Sequence, residues 1–587
     1  PRPPPAAGAP PPAAAPAAAA RPGASAPDWG RSAVIYQVYV RSFADGNGDG
    51  TGDLAGVRQR LGYLRDLGVD AIWFTPWYVS PLADGGYDVA DYRAIDPQFG
   101  TLAEAEQLIA EARALGIRTI VDVVPNHVSS EHEWFRAALA AGPGSPERER
   151  FWFHPGRGED GSQVPTHWVS EFQGGTWTRT TNPDGTPGEW YLHVFAPEQP
   201  DLNWDHPDVR REHEDILRFW FDRGAAGIRI DSAAQLVKDP ALPEVPDHPG
   251  PGEHPHVDRD ELHDIYRGWR AVADAYDEPR VLVGEVWLAD RERFARYLRP
   301  DEMHTAFNFD FMARPWDAKA LRESVQTTLD AHAPVAAPAT WVLSNHDVTR
   351  PVTRYGREDS SFAFATKRFG TPTDLATGRR RARAAALLSA ALPGSLYLYQ
   401  GDELGLPEVE DLPPDAIQDP MHARSGGVDP GRDGCRVPLP WTRGGTSHGF
   451  GPDGGAQPWL PQPHGWGELS VEAQTGDETS VLTLYRRVLA TRRAEPALRA
   501  GGFRWLDSLG GVVLGDDVLA FAREAPGDGD GDGRAVACVV NLGPDDVPLP
   551  ADAEVLLRSD APGSAPRASD APGAARLPTD TAVWLRA

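Results

Sequence analysis

The chain is short of cysteine. Two thiols, Cys435 and Cys538, among 587 residues cannot build a disulfide framework. Such usage suits a reducing compartment, and the protein is expected to be cytoplasmic. Positive charge is also short: 57 Lys and Arg stand against 85 Asp and Glu, for a net charge of −28. That balance argues against nucleic acid or an anionic membrane as partner. Lysine itself occurs three times, at Lys238, Lys319 and Lys367, and carries no functional reading. No apolar run approaches the roughly 18 residues of a membrane helix. No GxGxxG follows the first strand-like run, which weakens a dinucleotide-binding reading, and no organic cofactor is expected. What is present is core material. Hydrophobic residues make up 41% and charged residues 24%, which excludes global disorder. The length allows about four domains, or one large barrel with satellites. The 19 Trp are mainly core filler, although Trp faces also stack on sugar rings.

Three segments read as unstructured. Residues 1–27 are almost all Pro, Ala and Gly and read as a disordered tail. Prolines break the Ala run, and it lacks Leu, Ile and Phe, so a secretion signal is not expected. Residues 240–255 are rich in Pro, His and acids. The Gly-Asp run 527–533 could be a metal loop, but reads better as a solvated hairpin tip between strands 518–523 and 535–540.

From Ser32 to about Gly405, short β-branched or aromatic runs alternate with amphipathic stretches. The runs lie at 33–40, 70–74, 118–123, 227–231, 281–284, 340–343 and 395–399, with an eighth at 305–309. The clearest helix is 101–115. Thr101 and Glu104 form a capping box, Leu102, Ala105, Leu108, Ile109, Ala112 and Leu115 make a stripe, and Gly116 ends it. Stretches 54–67 with Gly68 and 209–223 with Gly224 repeat the device. Helices that stop at Gly and enter a buried strand are βαβ units, and eight of them predict an α/β fold of the (β/α)8 barrel type.

In such a barrel chemistry sits where strands end. Polar residues gather at those points: Asp122, Asn126 and His127 after the third strand, Arg229 and Asp231 on the fourth, Glu285 after the fifth, and Asn345, His346 and Asp347 after the seventh. Arg229 and Asp231 are two apart, so they share a face. Taken singly, a strand-end Asp is often a helix cap, an Arg-x-Asp pair a structural ion pair, and His127 a satisfied loop histidine. Together, four carboxylates at one barrel mouth would repel one another without a substrate, an arginine or shared protons. Glycoside hydrolysis uses this set: one carboxylate attacks the anomeric carbon and a second, protonated, carboxyl donates to the leaving oxygen.

DVVPNH (122–127), GIRID (227–231), GEVW (284–287) and SNHD (344–347) resemble, in order, the four signature regions of the alpha-amylase family of glycoside hydrolases. QPDLNW (199–204) is similar to the further region of its alpha-glucosidase and oligo-1,6-glucosidase branch. The resemblance runs from about Asp28 to the C-terminus. It implies Asp231 as nucleophile, Glu285 as general acid/base and Asp347 as transition-state stabiliser. It implies sugar contacts from Arg229, His127 and His346, with Asp122 structural or in contact with substrate. DGGY (84–87) resembles the segment with a stacking Tyr87 and an Asp84 that grips the terminal glucose. GRDGCRVPLPW (431–441) resembles the segment whose second arginine, Arg436, pairs with that Asp. Phe172 and Phe195 fall where the branch has pocket-facing aromatics. The implied domains are a barrel over 28–127 and 200–500, an inserted domain over 128–199 and a C-terminal β-sandwich over 501–587. The implied mechanism is retaining, with the two carboxyls ~5–5.5 Å apart.

In DGNGDGTGD (45–53), oxygen-bearing side chains alternate with glycine at Asp45, Asn47, Asp49, Thr51 and Asp53. This half-resembles a calcium loop, yet position twelve is Gly56 rather than Glu, so spacing alone leaves a plain Asp/Gly turn open. The branch carries a divalent-ion loop here. The resemblance therefore implies a structural Ca²⁺ or Mg²⁺, with Thr51 giving its carbonyl.

In the branch, Val after the nucleophile goes with α-1,6 linkages and smaller residues or Thr with α-1,4. Ser232 favours α-1,4. Endo-acting members have Lys-His three and four residues after the nucleophile, where this chain has Ala234 and Gln235. The expectation is an exo-acting alpha-glucosidase on maltose-like oligosaccharides, with sucrose and transglucosylation open. Oligo-1,6-glucosidase and a trehalose synthase-like isomerase are the rivals. A non-catalytic transporter subunit is disfavoured, since all three carboxylates are present and no anchor is seen. The partner is a small oligosaccharide, and the protein a monomer or homodimer.

Overall fold

The computed structural model describes residues 29–182, 184–364, 366–525, 535–551, 553–560 and 576–586. The tail 1–27 and the run 527–533 lie outside the described residues. Eight parallel strands form the centre: β1 Val34–Val38, β2 Ala71–Phe74, β3 Arg118–Val123, β4 Gly227–Ile230, β5 Val281–Gly284, β6 Thr305–Ala306, β7 Thr340–Val342 and β8 Ser395–Tyr399. Their order is β6-β5-β4-β3-β2-β1-β8-β7, so every strand pairs with its sequence neighbours except across β6 and β7, and β1 closes on β8. This is the (β/α)8 barrel expected from the strand-helix rhythm. Between β6 and β7 the seam is stitched by a side chain. Thr340 Oγ1 donates to the Ala306 carbonyl at 2.7 Å and accepts from Asn308 N at 3.0 Å.

Local signals explain the element ends. Helix α3, Leu102–Ala114, starts from the Thr101–Glu104 capping box. The expected helix 54–67 is two helices, α1 Leu54–Gln59 and α2 Leu61–Leu67. Arg60 leaves helical geometry between them, and its guanidinium lies over Trp441, 4.4 Å from the ring centre. The helix expected at 209–223 is α4, Pro207–Asp222. The strand expected at 305–309 ends at Ala306, because Asn308 caps a new helical turn, its Oδ1 accepting from Phe311 N at 3.0 Å.

Between β3 and α4 the chain forms a three-stranded antiparallel sheet from Phe153–His154, Pro187–Leu192 and Trp177–Thr181. The segment 240–255, expected to be unstructured, is packed against this insertion. Leu242 and Val245 join the Trp168 cluster, Trp168 Nε1 donates to the Pro243 carbonyl at 2.8 Å, and Glu244 meets His167 at 2.9 Å. Prolines suppress regular structure there, but the apolar side chains still find a surface.

The C-terminal region holds a five-stranded antiparallel sheet of β9 Gly502–Trp505, β10 Val518–Glu524, β11 Ala535–Asn541, β12 Glu554–Arg558 and β13 Thr581–Arg586, in the order β9-β10-β11-β13-β12. Alternation gives it two apolar faces. Leu519, Phe521, Cys538 and Trp584 pack toward the barrel, where Trp584 Nε1 reaches the Leu387 carbonyl on helix α5, Leu375–Ala391. Ala520, Val539, Val583 and Leu585 face a second cluster with Leu549 and Leu577. Both cysteines are buried and unpaired. Among the described residues no helix is long and apolar enough to cross a membrane.

Candidate active site

The C-terminal ends of β3, β4, β5 and β7 aim their polar residues at one place, and Arg229 on β4 is the hub. Its guanidinium, 1% exposed, reaches Asp122 at 3.1 Å, Asp231 Oδ1 at 2.6 Å and Glu285 Oε2 at 2.8 Å. Ser232 joins the last two carboxylates from the other side. Its hydroxyl donates to Asp231 Oδ2 and its amide to Glu285 Oε2, each at 3.0 Å. Trp287 Nε1 donates to Glu285 Oε1 at 3.1 Å.

Burial and charge then separate the carboxyls. Burial pushes Asp231 up to about 6 against the pull of Arg229. Burial, with repulsion from Asp231 and Asp347, takes Glu285 to about 7, although Arg229 opposes it. Asp122 also rises to about 7 through burial, with Arg229, Trp73 and Tyr87 hydrogen-bonded to it. Asp347 goes the other way. Burial would raise it, but Arg432, Arg436 and Arg229 hold it far below the usual range. Glu285 thus keeps its proton nearer neutral pH while Asp347 stays ionised, and the first suits a proton donor.

Aromatic rings and a further carboxylate surround this group. Tyr87 stacks on His346 with ring centres 5.2 Å apart and planes 7° from parallel. His346 Nδ1 meets Gln37 Nε2 at 2.7 Å, and burial takes the imidazole down to about 3, so the ring is neutral. His127 falls to about 4 for the same reason, and Phe195 lies 4.9 Å from it. Phe172 packs against Phe195 and lies under Arg432, 4.9 Å from its guanidinium carbon. Asp84 closes the far end, accepting from Arg432 Nη2 at 2.6 Å and Gln199 Nε2 at 3.0 Å.

A profile of the alpha-amylase catalytic domain matches residues 37–501, and a second profile, DUF3459, a domain of unknown function, matches residues 507–584. The chain belongs to the alpha-amylase family. As a family member it is a glycoside hydrolase by class. It is 36% identical to a trehalose-6-phosphate hydrolase of Escherichia coli (strain K12), over 81% of this chain and 86% of that one. It is 35% identical to a probable alpha-glucosidase of Rhizobium meliloti (strain 1021), over 83% and 86%. The solved structure of XgtA, an alpha-glucosyl transfer enzyme, superposes with a TM-score of 0.78 at 33% identity, covering 95% of this chain and 99% of that one.

Within this alpha-amylase fold every side chain picked from the signature strings lies in the same cluster, but one pairing is corrected. Arg432, not Arg436, pairs with Asp84. Arg436 turns instead to Asp347 Oδ1 at 2.9 Å and to the His346 carbonyl at 2.8 Å. The Asp433–Cys435 turn between the two arginines points them to different carboxylates. Arg432 also bonds Asp347 at 3.1 Å and Asp419 at 2.6 Å, so it ties the back wall to the catalytic rim. Residue reasoning also passed over Gln199, Trp287 and Asp419. The first two stand inside quoted strings, QPDLNW and GEVW, which was the available signal.

The loop 45–53 is folded around its own amides. Asp45 accepts from Gly48 N at 2.6 Å and Gly50 N at 2.8 Å, and Asp45 and Asp53 both accept from Asn47 N at 3.1 Å. A Cβ on Gly50, at φ +91°, would stand 2.2 Å from the Gln457 carbonyl. Asp49 receives Asn47 Nδ2 at 3.1 Å and Thr51 N at 2.9 Å. Among the described residues no three His, Cys, Asp or Glu side chains converge on an ion site. The donors here are all oxygen, which fits a hard divalent cation only if Asn47 and the Thr51 carbonyl complete the set.

Proposed function

We propose that the enzyme is a retaining, exo-acting alpha-glucosidase that releases glucose from the non-reducing ends of short α-1,4-linked glucosides. The observation that carries this reading is the closed back wall: Asp84 is held by Arg432 and Gln199 just behind the Asp231–Arg229–Glu285 group. A wall there leaves room for one terminal sugar. Asp231, ionised at neutral pH, attacks C1 on the face opposite the leaving oxygen, and Glu285 in its protonated form donates to that oxygen. Glu285 then takes the proton of the water that releases glucose from Asp231. Asp347, kept ionised by its arginines, binds ring hydroxyls and favours the oxocarbenium-like state.

Ser232, Ala234 and Gln235 support α-1,4 over α-1,6 action and a short aglycone side. A phosphorylated aglycone is less favoured. Arg424 and Lys367, which reach this rim beside Phe172 and Met421, are engaged by the Gln173 carbonyl at 2.6 Å and by Asp429 at 2.6 Å. A Ca²⁺ or Mg²⁺ ion in the loop 45–53 would be held by Asp45, Asn47, Asp49, Asp53 and the Thr51 carbonyl, and would brace the chain after β1.

Maltose, isomaltose, sucrose, trehalose, trehalose 6-phosphate and soluble starch, each incubated with the protein and its products identified, test the reading. Glucose should appear fastest from maltose, and Asp231→Asn should abolish it. Faster cleavage of isomaltose or of trehalose 6-phosphate, or conversion of maltose to trehalose, overturns it.

A further inference from the structure

The opposite end of the barrel carries an arginine-lined recess that the glycosidase chemistry does not use. A cavity of about 390 Å³ opens beside the starts of β1, β2 and β3, against helix α6, Val481–Ala494. Arg118, Arg492, Arg493 and Arg499 line it, with Trp29 and a single acid, Asp70. Asp70 is already engaged, its Oδ1 by Arg493 Nη2 at 3.0 Å and its Oδ2 by Val34 N at 2.9 Å. The recess continues past Arg493 and Arg499 into a wider one of about 880 Å³, where Arg31 and Arg523 join.

Among the described residues, Arg31, Arg118, Arg492, Arg499 and Arg523 have no carboxylate within ion-pair distance. Two of them are deeply buried: Arg492 is 2% and Arg523 1% exposed. A buried cation without a counter-charge is costly. Burial, with repulsion from Arg499, lowers Arg492 to about 10, and burial, with repulsion from Arg492, lowers Arg523 to about 9, so both stay charged at neutral pH. Main-chain carbonyls account for these two: Arg492 donates to Gly394 at 2.6 Å, and Arg523 to Ala391 at 2.7 Å and Gly501 at 2.9 Å. A purely structural role therefore explains Arg492 and Arg523. It does not explain Arg118 and Arg499, whose guanidinium groups make no hydrogen bond or ion pair among the described residues. Arg118 rests over Trp29, 5.1 Å from the ring centre. Convergent cations are also unexpected in a chain of net charge −28.

We propose that this recess binds a small phosphate-bearing anion, gripped by Arg118 and Arg499 in the field of the buried pair. Planar guanidinium forks match phosphate oxygens, and several of them around one concavity select multiple charge. The occupant would fasten α6 to the barrel base without entering the catalytic rim.

The full chain is titrated with inorganic phosphate, pyrophosphate and glucose 6-phosphate at constant ionic strength, by calorimetry and by thermal unfolding, with chloride as control. At least one of the three should bind saturably at one site and raise Tm by several degrees, and the tightest identifies the source. Arg118→Gln and Arg499→Gln, both exposed positions, should each weaken binding at least tenfold while leaving kcat/KM on maltose unchanged. The proposal falls if none of the three binds saturably, if chloride gives the same Tm rise, or if the double variant binds as the wild type does.

Discussion

Ser232 sits at φ +44°, in the left-handed region, and from there its amide and hydroxyl reach Glu285 and Asp231. Its hydroxyl lowers Asp231, which must be ionised to attack in the proposed mechanism. Activity should therefore rise as pH climbs through about 6, where Asp231 loses its proton, and fall as pH passes about 7, where Glu285 loses its own. The two apparent values belong to the group that shares Arg229, not to either carboxyl alone. Ser232→Ala removes one hydrogen bond to a charged oxygen, a loss of about 1.5–3 kcal/mol. The acidic limb should then move up toward the basic one and lower the peak of the bell, as a kcat/KM profile will record. Ser232→Val is a poorer probe of linkage preference, because a β-branched residue at positive φ adds backbone strain of its own. Most site residues were legible in the sequence because strand ends place them. The choice between Arg432 and Arg436 was not. Both lie in an irregular segment, and only the fold decides which of them reaches Asp84.

At the level of elements, strands were readable wherever a β-branched run followed a helix ending at glycine. β6 was overextended because Phe307 and Phe309 continue the apolar pattern, while Asn308 starts a helical turn. The fold of 240–255 was hidden because its anchors, Trp168 and His167, lie some seventy residues earlier. The β6–β7 seam makes its own prediction. Thr340→Val keeps the shape but removes both Oγ1 bonds and leaves Asn308 N buried without an acceptor. Unfolding in urea should show a loss of about 2 kcal/mol, with little change in KM if the rim is undisturbed.

For the whole molecule, the loop 45–53 links distant parts of the chain. Gly50 N is fixed by Asp45, and the Gly50 carbonyl accepts from Trp459 N at 3.0 Å. If a divalent ion completes this loop, chelation should lower Tm, and added Ca²⁺ or Mg²⁺ should restore it. An unchanged Tm removes the ion from the account. The C-terminal sheet, by contrast, docks through apolar alternation that composition and short strands made visible.

If Asp84 and Arg432 close the pocket as proposed, the substrate chamber is a cul-de-sac. Whatever enters must depart by the same door, and the piece nearest the door goes first. Glucose is then always the last to exit. It should inhibit competitively in steady-state assays, while a second substrate molecule, entering once the aglycone has gone, should act as an acceptor and divert turnover toward longer products.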